Sequence, residues 1–239
     1  LLTAEGREIW LQGLALPGLE WRNGGAKIRE TLDAALGDWR ANCIRLPVRE
    51  DFWFGQDETT SADGGAAYRA LVDELVATTA AAGAYLALDL HRFKAPTPEH
   101  VAFWQDAAAR YANHPAVLFD LFNEAHGITW EVWRDGGLID APAKEGVIVE
   151  NDFARDQVEA IGHQALVDAV RDVGAKNVVI VGGLDWAYDL TGNAAGFRVD
   201  DRGGSGVMYA SHIYPWKSDW TEKVLCMADQ APLFIGEVG

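Results

Sequence analysis

The sequence predicts a (β/α)8 barrel, and three observations carry that prediction. Strand-like and helix-like patterns alternate from one end of the chain to the other, which implies a parallel sheet. Several strand-like runs close on polar, reactive residues at their carboxyl ends, as in Asp-Leu-His, Phe-Asn-Glu and His-Ile-Tyr. No glycine-rich phosphate fingerprint follows a strand; Gly24-Gly25 precedes a helix but lacks the third glycine and its spacing. An open doubly wound sheet gathers its chemistry at one switch point. A barrel draws its site from all its strand ends, so the distribution favours the barrel.

The elements follow in order. Ile9 to Leu16 reads as the first strand. Ile28, Leu32, Ala35, Leu36 and Trp39 repeat at helical spacing, and Asn42 to Val48 is a second strand. Tyr68, Leu71, Val72, Leu75, Val76 and Thr79 mark the next helix, closed by Gly83, and Tyr85 to His91 is the third strand. Thr97 and Pro98 form a cap and first-turn pair for a helix through Val101, Trp104, Ala108 and Tyr111. Val117 to Glu124 is the fourth strand, followed by an insertion from Ala125 to about Asp152. Val158, Ile161, Ala165, Leu166, Ala169, Val170 and Val173 form the clearest helical face. Asn177 to Gly183 is a fifth strand, and a Gly- and Asp-rich stretch with little expected helix runs to Gly206. Val207 to Tyr214, a short helix over Asp219 to Asp229, and a seventh strand over Leu233 to Val238 complete the series. Residues 1 to 239 read as one catalytic domain without a legible eighth strand or its flanking helices. The expectation is therefore a longer native product, continuing with a helix and a strand, because a closed barrel pairs its last strand with its first.

Composition narrows the function. The net charge of −16 disfavours nucleic acid and gives no hold on an anionic membrane, whereas a neutral polysaccharide is compatible with it. The 49% hydrophobic fraction supplies a core, and no apolar run reaches the length of a membrane span. Cys43 and Cys226 read as two separate thiols, and two cysteines cannot make a zinc site. No cofactor is expected. Asp89-x-His91 has a spacing seen in metal pairs, but no further ligand cluster exists among the six histidines, so no metal is expected and Asp89 reads as a hydrogen-bonded core residue.

The strand ends define the candidate site. Arg45 shares side-chain parity with Cys43 and points inward, which demands a carboxylate partner. His91 shares a face with Asp89 and Ala87, and His212 and Tyr214 share one with Met208 and Ala210. Asn123 and Glu124 are adjacent, so both reach one site only if the strand end twists or bulges. Glu237 is assigned the inward parity of Leu233 and Ile235, with Gly236 leaving room beside it. Two carboxylates on opposed strands suit glycoside hydrolysis, where one protonates the leaving oxygen and the other attacks the anomeric carbon. Trp186 and Trp216 lie nearest the strand ends as sugar-stacking candidates; Trp53, Phe54, Trp130 and Trp133 stay open, and Trp10, Trp39 and Trp104 are assigned to the core.

These runs together resemble glycoside hydrolase family 5, the cellulase-type family of barrels with catalytic Glu on strands four and seven. The likeness rests on NCIRLP, LDLH, LFNE, HIY and FIGEVG in that order and spans essentially the whole chain. It implies Glu124 as acid/base and Glu237 as nucleophile. It also implies Asn123 on the sugar 2-hydroxyl, Arg45 and Tyr214 orienting Glu237, and His91 and His212 contacting the sugar or the carboxylates. Ala125 stands where the family usually has Pro, and the family's strand-eight Trp has no counterpart to assign. The function so implied is a retaining endo-β-glycanase on β-1,4-glucan, monomeric and secreted, although no signal-peptide pattern is present in this chain. Mannan, xyloglucan or exo-β-glucosidase action are the alternatives within the family. A sugar-binding barrel without turnover is the rival from another class, and a metal-dependent barrel hydrolase comes third.

Overall fold

The computed structural model describes residues 1–3, 6–20, 25–140 and 157–239. Seven parallel strands form one sheet in chain order: β1 (Gly13–Ala15), β2 (Cys43–Val48), β3 (Tyr85–Leu90), β4 (Val117–Asp120), β5 (Val179–Gly182), β6 (Val207–Ile213) and β7 (Leu233–Val238). Consecutive strands that pair in parallel in this order are those of a (β/α)8 barrel with seven of its strands present. Among the described residues no strand lies between β7 and β1. A cavity of about 460 Å³ opens at that seam, lined by Leu11, Gly13, Cys43, Phe234 and Ile235 among others.

Helices close the outside. In α1 (Ile28–Gly37), Ile28, Leu32 and Ala35 face the sheet, and in α2 (Ala66–Ala81) the buried stripe is Tyr68, Val72, Leu75, Val76 and Thr79. In α3 (Pro98–Arg110), Phe103, Trp104, Ala107 and Ala108 are buried, and the His100 ring nitrogen Nδ1 accepts from the Thr97 N–H at 2.9 Å to close the first turn. The layer between sheet and helices is the main core, holding Ile44, Leu46, Leu86, Leu88, Val117, Phe119, Val179 and Val181 with the helix stripes. The opposite strand faces fill the barrel with Cys43, Ala87, Leu118, Ile180, Met208, Ala210 and Phe234. Alternation along each strand separates the two sets.

Three expectations change. Trp10 and Trp39 are 80% and 73% exposed, so neither is core, while Trp104 is buried as expected. Both exposed residues lie just outside the regular elements, where helical or strand parity no longer decides burial. The helix expected from Val158 begins only in α4 (Gly162–Asp172). Val158 belongs instead to a strand, Gln157–Ala160, antiparallel to Gly137–Asp140. Gly162 separates the two at φ +74°, and a Cβ there would stand 2.4 Å from the Arg134 carbonyl oxygen. The insertion also holds a helix over Trp130–Asp135; residues 141–156, which include its remainder, lie outside the described residues, as does Gly24. On β7 the inward residue is Phe234, and Ile235 is exposed, which reverses the assigned parity.

One core histidine makes stability depend on pH. His163 is fully buried beside Trp133 and Phe122. Its Nδ1 donates to the Trp133 carbonyl at 2.8 Å, which leaves Nε2 unprotonated and, among the described residues, without a partner. Burial, only partly offset by that hydrogen bond, pushes the imidazole down to about 4 from 6.5. The unfolded chain therefore takes up the proton more readily, and stability present above pH 6.5 is lost as the pH falls toward 4, by on the order of 3 kcal/mol. Thermal unfolding across that window should show a shallower decline for His163→Phe than for the parent. Identical slopes would mean that this side chain does not set the dependence.

Candidate active site

Arg45 lies inside the barrel, midway along β2, almost fully buried. Its guanidinium donates from Nε to Asp120 Oδ2, from Nη1 to Glu237 Oε1 and from Nη2 to Asn123 Oδ1, each at 2.8 Å. Asp89 Oδ1 lies 3.1 Å from Nη2 as an ion pair that is not aligned as a hydrogen bond. The bond from Arg45 fixes the Asn123 amide, because its oxygen must face the guanidinium, and Nδ2 is left to donate elsewhere.

Regular pairing of β4 ends at Asp120, and the chain beyond it follows a separate path. Glu124 and Ala125 pair in parallel with Phe93 and Lys94 in a second, two-stranded sheet. That departure lets Asn123 and Glu124 both serve the site although they are neighbours. Glu237 arrives by another irregularity. Ser211 pairs with Ile235, but His212 pairs with Glu237, so Gly236 is an extra residue in the ladder. The slip turns Glu237 inward although Phe234 is the inward residue before it. A Cβ on Gly236 would stand 2.8 Å from His212 Nε2, so only glycine fits there.

His212 joins the two acids. Its Nδ1 lies 2.9 Å from Glu124 Oε1 and 3.7 Å from Glu237 Oε2, and donor atoms of all three residues fall within 4.8 Å of one another. The Tyr214 hydroxyl donates to Glu237 Oε2 at 2.5 Å, and His91 Nδ1 lies 2.7 Å from Asp89 Oδ2. Burial disfavours a charged Glu237. His212, Arg45, the Tyr214 hydrogen bond and His91 outweigh it, and the carboxyl sits below its ordinary range. Burial, with the hydrogen bond and charge of Glu237, pushes the Tyr214 phenol up to about 12, so it stays a donor. At His91, burial is outweighed by the charge and hydrogen bond of Asp89, and the imidazole is raised.

A hollow of about 460 Å³ opens over Glu124, lined by Asp185, Trp186, Tyr214, Trp216 and Lys217. The Trp186 ring stacks on His126 at 3.4 Å and the Trp216 ring on Tyr214 at 4.7 Å, and the two indoles are 44% and 73% exposed. Trp186 sits in a turn whose residues Asp185, Trp186 and Ala187 all have positive φ, an unfavourable conformation for side-chain-bearing residues. Lys217 Nζ braces that turn from the Asp185 carbonyl and carboxylate at 3.0 and 2.8 Å. Trp53 and Trp133 point the other way, fully buried, with their indole N–H groups on Asp106 Oδ1 and the Gly182 carbonyl. Trp130 packs on Trp133 and Phe197, and half-buried Phe54 packs against the main core.

The structure thus brings Arg45, His91, Asn123, Glu124, His212, Tyr214 and Glu237 into one cluster, with Trp186 and Trp216 on its rim. Asp120 was missed. Its signal was available, since Asp120 has the inward parity of Leu118, as Asp89 has that of Ala87, and β3–β4 register puts the two aspartates side by side. His126 and Lys217 carry no comparable mark.

Two acids sharing one imidazole at the carboxyl end of a parallel barrel are the equipment of a barrel glycoside hydrolase. Comparison with known proteins is more specific. Residues 2–239 match the family model described as Cellulase (glycosyl hydrolase family 5), and the chain belongs to that family. Endoglucanase 5 of Pectobacterium carotovorum subsp. carotovorum is 25% identical over 223 residues, covering 90% of this chain and 36% of that protein. Endoglucanase E-5 of Thermobifida fusca is 22% identical over 249 residues, covering 100% of this chain and 46% of that protein. The chain therefore spans less than half the length of these curated relatives. Among solved structures, the catalytic domain of Thermobifida fusca endoglucanase Cel5A has a TM-score of 0.69 at 20% identity, covering 99% of this chain and 70% of that one. A Saccharophagus degradans β-glucanase solved with cellotetraose also has a TM-score of 0.69, at 22% identity, covering 98% of this chain and 69% of that one.

The electrostatics can be checked without substrate. A ¹³C-carboxyl titration should find Glu237 ionising below the ordinary glutamate range. Tyr214→Phe removes one of the donors that hold the charged form, so the titration should move to higher pH. An unmoved curve would show that the phenol does not support the carboxylate.

Proposed function

We propose that this chain is the catalytic barrel of a retaining endo-β-glycanase that cleaves β-1,4-linked polysaccharide, glucan foremost. The observation that carries the reading is the spacing of the acids: oxygens of Glu124 and Glu237 approach within 4.8 Å. Retaining enzymes hold their carboxyl groups about 5 to 5.5 Å apart, whereas inverting ones need roughly 6.5 to 9.5 Å to admit a water. Glu237, held ionised, attacks the anomeric carbon while Glu124 gives its proton to the leaving oxygen. Glu124 then takes a proton from water, which displaces Glu237 and releases the sugar with its original configuration. Asn123, with Nδ2 free to donate, is suited to the sugar 2-hydroxyl, and His91 and His212 to the sugar or the acids. Trp186 and Trp216 offer flat faces for sugar rings beside Glu124, the side from which the leaving group departs.

The curated relatives described above are named endoglucanases, and the β-glucanase neighbour was solved with cellotetraose; both support a glucan substrate. Mannan, xyloglucan and exo-action on glucosides are the other substrates and modes to assay. A monomer acting outside the cell on polymer fits the acidic, uncharged-substrate character of the chain, and among the described residues no helix is long and apolar enough to cross a membrane. A sugar-binding barrel without turnover would have no use for Glu237 held ionised beside a second acid.

Two experiments test the reading. On a panel of soluble polysaccharides, β-glucan should release reducing ends fastest, and a chelator should leave the rate unchanged; glycan binding without product would favour the rival. Glu237→Gln should abolish turnover. Glu124→Ala should lose most on substrates with poor leaving groups, by about 10² to 10⁴-fold, the usual contribution of general acid catalysis. On activated aryl glycosides it should accumulate the glycosyl-enzyme, and azide should speed its breakdown. Equal loss on every leaving group, with no azide effect, would remove Glu124 from the acid/base role.

A further inference from the structure

The guanidinium that holds Glu237 has an anchor on its far side. Asp120 ends β4 inside the barrel, almost fully buried, and its Oδ2 accepts from Arg45 Nε at 2.8 Å. It makes no direct contact with either proposed catalytic acid. A guanidinium is a planar fork, so fixing Nε fixes the directions of both Nη groups. One of these donates to Glu237 and the other to Asn123.

A buried carboxylate of this kind is a costly way to gain stability. Burial and the charge of the adjacent Asp89 push Asp120 up to about 6, with Arg45 pulling the other way. Replacing buried ion pairs by apolar residues is often neutral or stabilising, so the pair calls for another explanation. That explanation lies at the opposite edge of the same side chain.

We propose that Asp120 is a positioning residue for the reaction: acting through Arg45, it holds the guanidinium plane so that one edge meets Glu237 and the other meets Asn123, and its charge tempers the pull of Arg45 on the nucleophile. This rests on the reading of Glu237 as nucleophile. The charged and titratable groups that act on Glu237 come from three strands besides its own. They are Arg45 from β2, His91 from β3, and His212 and Tyr214 from β6 and its end. Asp120 and Asp89 act on it through Arg45, and Glu124 faces it across His212.

The test compares Asp120→Asn and Asp120→Ala in the full chain. Readouts are kcat and KM against pH on an activated aryl β-cellobioside, thermal unfolding, and the ¹³C titration of Glu237. The Asn variant keeps an acceptor for Nε but removes the charge. Its kcat should fall by less than about 10-fold, and the acid limb of kcat/KM and the Glu237 titration should both move to lower pH. The Ala variant frees the guanidinium, and kcat should fall on the order of 100-fold with KM changed only a few-fold, the scale expected for loss of alignment. Partial rescue by Asn relative to Ala separates positioning from bulk stability. Folded variants with parental kcat and an unmoved acid limb would overturn the proposal, as would a loss confined to melting temperature. If Ala does not fold, the Asn pH profile decides alone. A parent chain inactive on the aryl glycoside would sink the nucleophile reading instead, and the Glu237 titration in the Asn variant would still decide whether Asp120 acts through Arg45.

Discussion

One buried guanidinium organises the carboxyl end of this barrel. Arg45 binds Asp120 from β4, Asn123 from the segment beyond it and Glu237 from β7, and stands 3.1 Å from Asp89 of β3. A charge in the barrel interior is tolerable only when opposite charges and acceptors surround it. Here the surroundings come from strands that lie far apart in sequence. Their proper closure is therefore also the condition for a compensated Arg45. Folding and site assembly share one requirement.

The same arrangement gives the two acids different surroundings. Glu237 sees Arg45, the Tyr214 hydroxyl and His212, all of which favour its charge. Glu124 sees neither Arg45 nor Tyr214 as a hydrogen-bond partner; its neighbour is the imidazole of His212. Environment rather than residue type distinguishes the two glutamates, which is the usual way a single chemistry of side chain is divided between two tasks.

Much of this was legible in the chain itself. Period-two alternation separated Ile44 and Leu46 from Cys43 and Arg45, and Ala87 and Asp89 from Leu86 and Leu88, because regular strands obey parity. Legibility failed where parity fails. The slip at Gly236 reverses the face of Glu237 relative to Leu233 and Ile235, and no property of those residues announces it. Asp120 was overlooked for the opposite reason: parity did mark it, but within the run Val-Leu-Phe-Asp-Leu-Phe a single polar residue reads as an interruption. Trp10 and Trp39 failed because each lies just outside the regular strand or helix, where parity no longer decides what packs over a residue. The antiparallel pairing of Gly137–Asp140 with Gln157–Ala160 was hidden because Val158 happens to fall on the helical repeat of α4.

The extra residue at Gly236 has a consequence for how this site can vary. Side chains along β7 are counted off in twos, and the count carries a one-residue correction just before the glutamate. Register is what matters here. If the same residues paired without the bulge, the strand would stay apolar and well paired, but plain alternation from Phe234 would turn the carboxylate out of the barrel toward the helices. The inward face of β7 is in this sense kept in frame by a residue with no side chain, and a one-residue slip in pairing, too small to disturb the barrel, would be enough to empty it of its carboxylate.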